Sequence, residues 1–292
     1  MRVLVTGGTG QLGHEVARDF GLQGHEVFAP TREQVDLENP EEVATAARSY
    51  AADWVINCAA YTQVDKAESE PDKAFSVNRD SPAALAKSVG SYGGRLLQVS
   101  TDFIFDGTGK APYRETDQAN PLGVYGQSKL EGELAVQDIL PAATILRTAW
   151  VYGAHGSSNF VKTMLRVAAT GKPLRVVNDQ IGSPTWTTDI SAAILALVGK
   201  GETGVFNYTN AGETSWHGFA AAILEEASAL GFDIKTEIIE PIPTSEYPTP
   251  ARRPAYSVLD TSKIENRLDL SIPQWRDSLR KMLKELKTCV DC

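Results

Sequence analysis

Short apolar runs and helical stripes take turns along this chain. Arg2-Val3-Leu4-Val5-Thr6 is a continuous apolar run of the kind a parallel sheet buries on both faces. It breaks at Gly7-Gly8-Thr9-Gly10-Gln11-Leu12-Gly13, after which Leu12, Val16 and Phe20 recur at i, i+4 and i+8 as one face of a helix. Val27 to Ala29 predicts a second strand. Asn39-Pro40-Glu41-Glu42 predicts a helix start, with a capping side chain, proline at the first helical position and a glutamate placed to complete a capping box. That helix carries Val43, Ala46, Ala47 and Tyr50 on one face, and Trp54 to Asn57 is a third strand. Helical patterns follow from about Ala74 and from Pro82 to Val89, then a strand over Leu96 to Val99. Asn120-Pro121 breaks the chain before a helix that runs from Tyr125 to about Asp138, and Thr144 to Leu146 is a fifth strand.

Beyond Arg147 the alternation persists at longer intervals. Phe160, Met164 and Val167 mark a helix, Leu174 to Val177 a strand, Ile190 to Val198 a helix and Val205 to Tyr208 a strand. Phe219, Ile223 and Ala227 mark another helix, Ile234 to Ile239 a strand, and Trp275 to Leu286 a terminal helix, with prolines crowded between 241 and 254. No internal repeat or low-complexity segment interrupts this α/β order. The layout predicts a dinucleotide-binding domain over residues 1–150, with later segments at roughly 174–210 contributing, and a smaller substrate-binding domain over 151–292.

Composition narrows the function. At 42% hydrophobic and 22% charged, the 292 residues are ordinary globular sequence with one or two domains' worth of core. A formal net charge of −9, a pI near 5.1 and the lack of basic runs argue against a nucleic-acid or anionic-membrane partner. No apolar stretch reaches the roughly 18 residues of a membrane span, and the N-terminus enters a strand without a signal-peptide pattern, so a cytoplasmic location is expected. Cys58 reads as a reduced, half-buried core residue. Cys289 and Cys292 form a C-x-x-C without a second pair or a neighbouring histidine, a tail feature with no zinc site.

Three stretches carry candidate chemistry. Glycines at 7, 10 and 13 lie between a strand and a helix, where a backbone can approach a pyrophosphate and a helix N-terminus can hold it. After the second strand stands Pro30-Thr31-Arg32, without the carboxylate that selects NAD; Arg32 suits the 2′-phosphate of NADP, so NADPH is expected with NADH as the alternative. Ser100-Thr101-Asp102-Phe103 ends a strand where open α/β sheets bind ligands. Tyr125 and Lys129, on one helix face 24 and 28 residues beyond Thr101, pair a phenol with an ammonium expected to lower its pKa.

Taken together, Gly7-x-x-Gly10-x-x-Gly13, the strand-end threonine and Tyr125-x-x-x-Lys129 resemble the extended short-chain dehydrogenase/reductase superfamily, whose members act on nucleotide sugars. Within it the chain is similar over nearly its full length to the dTDP-4-dehydrorhamnose reductase family. Further runs that carry this likeness are Ala59 to Glu68, Arg147-Thr148-Ala149-Trp150, Asn159-Phe160, Asp179 to Thr185 and Ala251-Arg252-Arg253-Pro254. The resemblance implies a Rossmann-type doubly wound parallel sheet with a smaller C-terminal substrate domain. The activity it implies is NAD(P)H-dependent reduction of the C4 ketone of dTDP-4-dehydro-β-L-rhamnose.

By position, Thr101, Tyr125 and Lys129 take the catalytic places, Tyr125 as general acid and Lys129 also on the nicotinamide ribose. Gly10, Gln11, Leu12, Asp36, Leu37, Ala59, Ala60, Tyr61 and Thr62 take the cofactor side beside Gly7, Gly13 and Arg32. Thr101, Asp102, Trp150, Asn159 and Gln180 fall on the sugar side, with Arg252 and Arg253 as candidates for the diphosphate. Trp150 is expected to cover the sugar's apolar face.

Phe103 stands where the related sugar 4,6-dehydratases carry glutamate, which removes elimination from the expected chemistry. Some family members are dimers bridged by magnesium through several glutamates. Glu15 matches one, and no partner for it is evident in the later segments, so no metal ligand is assigned, Mg2+ stays open, and both monomer and homodimer are retained. Two other activities fit the same scaffold: a nucleotide-sugar epimerase, which would hold NAD without net oxidation, and a non-catalytic cofactor-binding regulatory subunit, which would not need the intact triad.

Overall fold

In the computed structural model, which describes residues 1–290 and side chains as far as Thr288, the first five strands are β1 (Arg2–Thr6), β2 (Glu26–Phe28), β3 (Trp54–Asn57), β4 (Arg95–Thr101) and β5 (Thr144–Thr148). Four short strands intervene, β6 (Val151–Tyr152), β7 (Leu174–Val177), β8 (Ile181–Gly182) and β9 (Thr185–Trp186), before β10 (Gly204–Asn207); β11 (Thr214–Ser215) and β12 (Ile239–Ile242) follow. Six of them make one all-parallel sheet in the order β10-β5-β4-β3-β1-β2. After β2 the chain crosses back to place β3 on the other side of β1. That reversal opens a crevice outside the carboxyl ends of β1 and β3, where doubly wound sheets bind dinucleotides.

Helices cover both faces, as the continuous apolar runs of β1 and β3 require. On one side α1 (Gln11–Leu22) and α8 (Thr187–Lys200) bury Val16, Phe20, Ile190 and Leu197 against Val3, Val5, Ile56 and Leu97, with α10 (Ser262–Leu268) adding Ile264. On the other, α2 (Pro40–Tyr50), α5 (Ser81–Tyr92) and α6 (Val124–Ile139) bury Val43, Leu85 and Val136 against Leu4, Val55, Leu96 and Ile145. A separate core lies between α7 (Phe160–Ala168), α9 (Trp216–Ala229) and α11 (Trp275–Val290), built from Met164, Phe219, Ile223, Leu279 and Leu283 with Leu174 and Val176 of β7. Of the 174–210 stretch, α8 and β10 join the main sheet's layers while β7 pairs with β12 in the second core.

Three local expectations need correction. The helix predicted to begin at Ala74 and the one at Pro82 are a single run: α4 (Pro71–Phe75), a π-helical turn over Ser76–Asp80, then α5. The Ser81 amide reaches five residues back to the Ser76 carbonyl, a widened turn that accommodates Pro82 without a break. The strand expected over Ile234–Ile239 is displaced to Ile239–Ile242, because the Lys235 and Thr236 amides bond the Ala168 carbonyl and hold that segment to the end of α7. At α2 only half of the capping box forms: Asn39 Oδ1 accepts from the Glu41 and Glu42 amides, while the Asn39 amide bonds the Asp36 carbonyl. A short α3 (Val64–Ala67) was not anticipated. The Cys289 side chain and Cys292 lie outside the described residues.

Candidate active site

The glycine turn after β1 is built to admit a ligand. Gly7 has φ +70, and a Cβ there would stand 2.9 Å from the Ala59 amide. A Cβ on Gly13 would come within 2.1 Å of the Gly7 carbonyl, so α1 packs onto the turn only as glycine. Gly10 caps α1 with no side-chain bond, which leaves the first-turn amides of Gln11, Leu12 and Gly13 to an anion. Beside the turn lies a cleft of about 330 Å³ whose walls include Gly7, Arg32, Asp36, Leu37, Ala60, Tyr61 and Thr62. Those donors, the uncapped helix start and the missing Cβ atoms fit a dinucleotide's pyrophosphate and adenosine half. Sequence patterning did not single out Glu38 and Lys73, which line the same cleft.

The Tyr125 end of the crevice is buried. Thr101, 6% exposed, ends β4 and caps the turn over Asp102–Ile104, its Oγ1 accepting from the Phe103 amide at 3.2 Å and donating to Asp102 Oδ1 at 3.1 Å. Tyr125, in the first turn of α6, packs among Tyr61, Val77 and Phe103, with the Phe103 ring edge-on at 5.5 Å. The Thr101 hydroxyl acts on its phenol against the effect of burial. Lys129, one turn on, is buried and donates from Nζ to the Val99 carbonyl at 2.7 Å. A further turn brings Glu133, which holds Arg147 of β5 through both carboxylate oxygens at 2.7–3.1 Å. Tyr125, Lys129 and Glu133 thus form one buried stripe of α6 facing the sheet.

Burial governs the electrostatics here. The Tyr125 phenol is pushed up to about 12, chiefly by desolvation, with Thr101 opposing and Asp102 adding. Lys129 is brought down to about 8 by the same desolvation, against which Glu133 and Cys58 pull upward. Asp102 rises to about 6 for want of solvent, with the Ser257 and Thr101 hydroxyls opposing, and its Oδ2 is buried without a partner. The expectation that Lys129 draws the phenol's pKa down is therefore not met in this arrangement: the ammonium is committed to the Val99 carbonyl, and dehydration dominates both groups.

The remaining candidates divide. Arg252 is exposed and shares a small pocket with Tyr125 and Phe103. Arg253 is occupied: its guanidinium grips both oxygens of Asp65 at 3.0 and 2.8 Å and also bonds Thr249 and Ala251, holding the Asp65 carboxyl below its usual range. Trp150, in a left-handed conformation at φ +47, lies flat on Trp216 with centroids 3.6 Å apart, so one indole face is unavailable to a sugar. Gly182 presses on the same ring, since a Cβ there would be 2.5 Å from it. Asn159 caps α7 by accepting from the Lys162 amide, and donates to the Gly153 carbonyl and to Gln11 Oε1. Gln180 is buried and donates to Thr244 Oγ1 at 3.0 Å. Nothing in the local pattern pointed to Ser257, which lies 155 positions from Asp102 and acts on its carboxyl.

Away from the crevice, Glu15 does find later partners: donor atoms of Glu15, His155 and Glu285 lie within 4.8 Å of one another. Glu15 is fully buried, and desolvation raises its pKa. The set fits magnesium poorly, because Mg2+ wants a near-octahedral oxygen shell, while Arg18 already pairs with Glu15 at 2.5 Å and approaches Glu285 at 3.8 Å. The positive charge these carboxylates call for is supplied by the protein. Among the described residues no helix is long and apolar enough to cross a membrane.

Residues 1–288 match the family described as the RmlD substrate binding domain. A dTDP-4-dehydrorhamnose reductase from Salmonella typhimurium is 41% identical over 296 residues, covering 99% of each chain. Among solved structures, a dTDP-4-dehydrorhamnose reductase from Clostridium acetobutylicum superposes with a TM-score of 0.91 at 37% identity, covering 98% of this chain and 100% of its own. Another from Bacillus anthracis, in complex with NADP, gives 0.91 at 32% identity over 97% of this chain and 99% of its own.

Proposed function

The chain belongs to the RmlD substrate binding domain family, and on that premise we propose how its residues reduce the C4 ketone of dTDP-4-dehydro-β-L-rhamnose to the alcohol of dTDP-β-L-rhamnose. The activity is the family's, that of an oxidoreductase of dTDP-rhamnose biosynthesis. The relative solved with NADP supports NADPH as the reductant. The Gly7–Gly13 turn and the amides that open α1 would hold the pyrophosphate of NADPH, which when bound would supply the hydride.

One observation carries the assignment of roles: Tyr125, buried in the first turn of α6, and Thr101, buried at the carboxyl end of β4, meet at the same end of the crevice, where the Thr101 hydroxyl acts on the phenol. With its pKa near 12, Tyr125 is protonated at any physiological pH and acts as the proton donor to the ketone oxygen. The Thr101 hydroxyl, which donates to Asp102 Oδ1 in the free protein, would turn to donate to the same oxygen as negative charge develops there. Loss of the phenol proton leaves an anion beside the Lys129 ammonium, and Lys129, near pKa 8, is mostly charged at pH 7. Phe103 offers no base, so no water is eliminated. On the substrate side Arg252, exposed over the pocket it shares with Tyr125, takes the diphosphate, and the second core with its loops forms the smaller substrate-binding domain.

The test follows NADPH oxidation with dTDP-4-dehydrorhamnose, using UDP- and GDP-linked keto sugars as controls. Turnover confined to the dTDP sugar is expected, and no turnover with any of them would overturn the reading. Tyr125→Phe keeps the ring packing and removes the proton, so kcat should fall by on the order of 100-fold or more while NADPH affinity stays close to the parent's.

A further inference from the structure

We propose that Glu38, acting with Arg32 and Lys73, sets the balance between the 2′-phosphorylated and unphosphorylated dinucleotide, its carboxylate serving as a resident anion that a 2′-phosphate must displace. This rests on the reductase reading only for the class of cofactor. Glu38 Oε1 is the common acceptor of two cations, the Arg32 guanidinium and Lys73 Nζ, the latter at 2.9 Å. All three side chains line the cleft that also holds Asp36, Leu37 and Tyr61, beyond the end of β2.

The carboxylate is delivered there by a pinned backbone. The Glu38 amide donates to Asp36 Oδ1 at 3.0 Å, and its carbonyl accepts from Ser76 Oγ at 2.8 Å. Only the side chain is therefore able to move, swinging off the two cations or staying on them.

Selection for NAD ordinarily uses a carboxylate at the end of the second strand, which bonds the ribose 2′-hydroxyl; selection for NADP uses an arginine without that acid. Here Pro30 stands at the strand end, which alone favours NADP. Glu38 brings a carboxylate to the same cleft, which Asp36 and Glu70 also line, from eight residues further on, and it alone of the three holds the arginine. Two cations and one carboxylate leave a net charge of about +1 for the trio. A phosphate monoester brings about −1.5 to −2 and three acceptor oxygens, a stronger partner for both cations than a single carboxylate. A neutral 2′-hydroxyl leaves the trio intact and donates to Glu38. The site thus takes both cofactors, and the position-38 carboxylate opposes the phosphorylated one.

Binding of NADPH and of NADH to the full-length protein, measured by calorimetry without sugar, tests this. Glu38→Gln should tighten NADPH by about 10-fold, the scale of releasing a charge-assisted contact, and leave NADH equal or weaker. Lys73→Met and Arg32→Ala should move the ratio the opposite way while sparing NADH. Raising ionic strength should weaken NADPH more than NADH in the parent and most in Glu38→Gln. Melting temperatures should hold, since the trio is at the surface. A Glu38→Gln protein whose two affinities shift together, or not at all, overturns the proposal. Failure to reduce the sugar would instead overturn the reductase reading and leave these ratios standing.

Discussion

Asp102 and Lys129 show how far dehydration, more than neighbouring charge, sets the chemistry of this crevice. Asp102 is protonated more readily in the native protein, at about 6, than in the unfolded chain near 3.8. Between those values the native state binds the extra proton, so the stability tied to the neutral acid is full below about pH 4 and lost as pH rises through about 6. Asp102→Asn removes that loss, and thermal melts should show it more stable than the parent at pH 7, by up to about 3 kcal/mol, with a flatter profile between pH 4 and 6. A variant less stable than the parent at pH 7 would show that the acid is better solvated than its burial indicates. Lys129 titrates in the opposite sense, its charge disfavoured by burial and lost above about pH 8. In the roles proposed above, Lys129 is not the cause of the resting phenol's pKa but would balance the Tyr125 anion formed in turnover, so kcat should fall above about pH 8, and Lys129→Arg, permanently cationic, should carry any residual activity to higher pH. A pH profile flat to pH 10 in the parent would separate Lys129 from the proton-transfer step.

At the scale of elements, the stripe on α6 explains why the spacing in the sequence was informative. Four-residue steps from Tyr125 to Lys129 to Glu133 fix three side chains on one face in any α-helix, and the bidentate Glu133–Arg147 pair anchors that face to β5. The β1 run, the α1 stripe, β3 and β7 were legible for the same reason, since each is decided by its own apolar period. Elements decided by distant partners were not. The strand near 239 shifted because two amides were taken by Ala168, and Pro82 did not end a helix because the π turn ahead of it had changed the bonding step. In the site, glycine turn, Thr101 and Tyr125-x-x-x-Lys129 could be read locally; the Asp65 grip on Arg253, the Trp216 stack on Trp150 and the Asn159 bond to Gln11 join residues 66 to 188 positions apart and leave no local trace.

Across the whole molecule, besides the Arg18 and His155 contacts near Glu15, polar bridges tie the later segments to the cofactor side. One runs from Gln11, in the first turn of α1, to the Val151 carbonyl and Asn159. Another runs from Asp65 of α3 to Arg253 and the Ala251 amide. Arg253 therefore holds the loop that carries its neighbour Arg252 to the pocket shared with Tyr125, and in the roles proposed above diphosphate recognition and proton delivery would share one frame. Asp65 and Arg253 are partly exposed at 40% and 24%, and such a pair adds only about 1 kcal/mol or less to global stability. Arg253→Met should accordingly leave the melting temperature and NADPH affinity near the parent's and let the 249–254 loop drift. The expected consequence is a KM for the dTDP sugar raised by about 10-fold with kcat changed far less, the pattern of lost ground-state binding. Steady-state kinetics with both substrates varied distinguishes this from a cofactor effect: a matching loss of NADPH affinity would place the action of the bridge on the dinucleotide side.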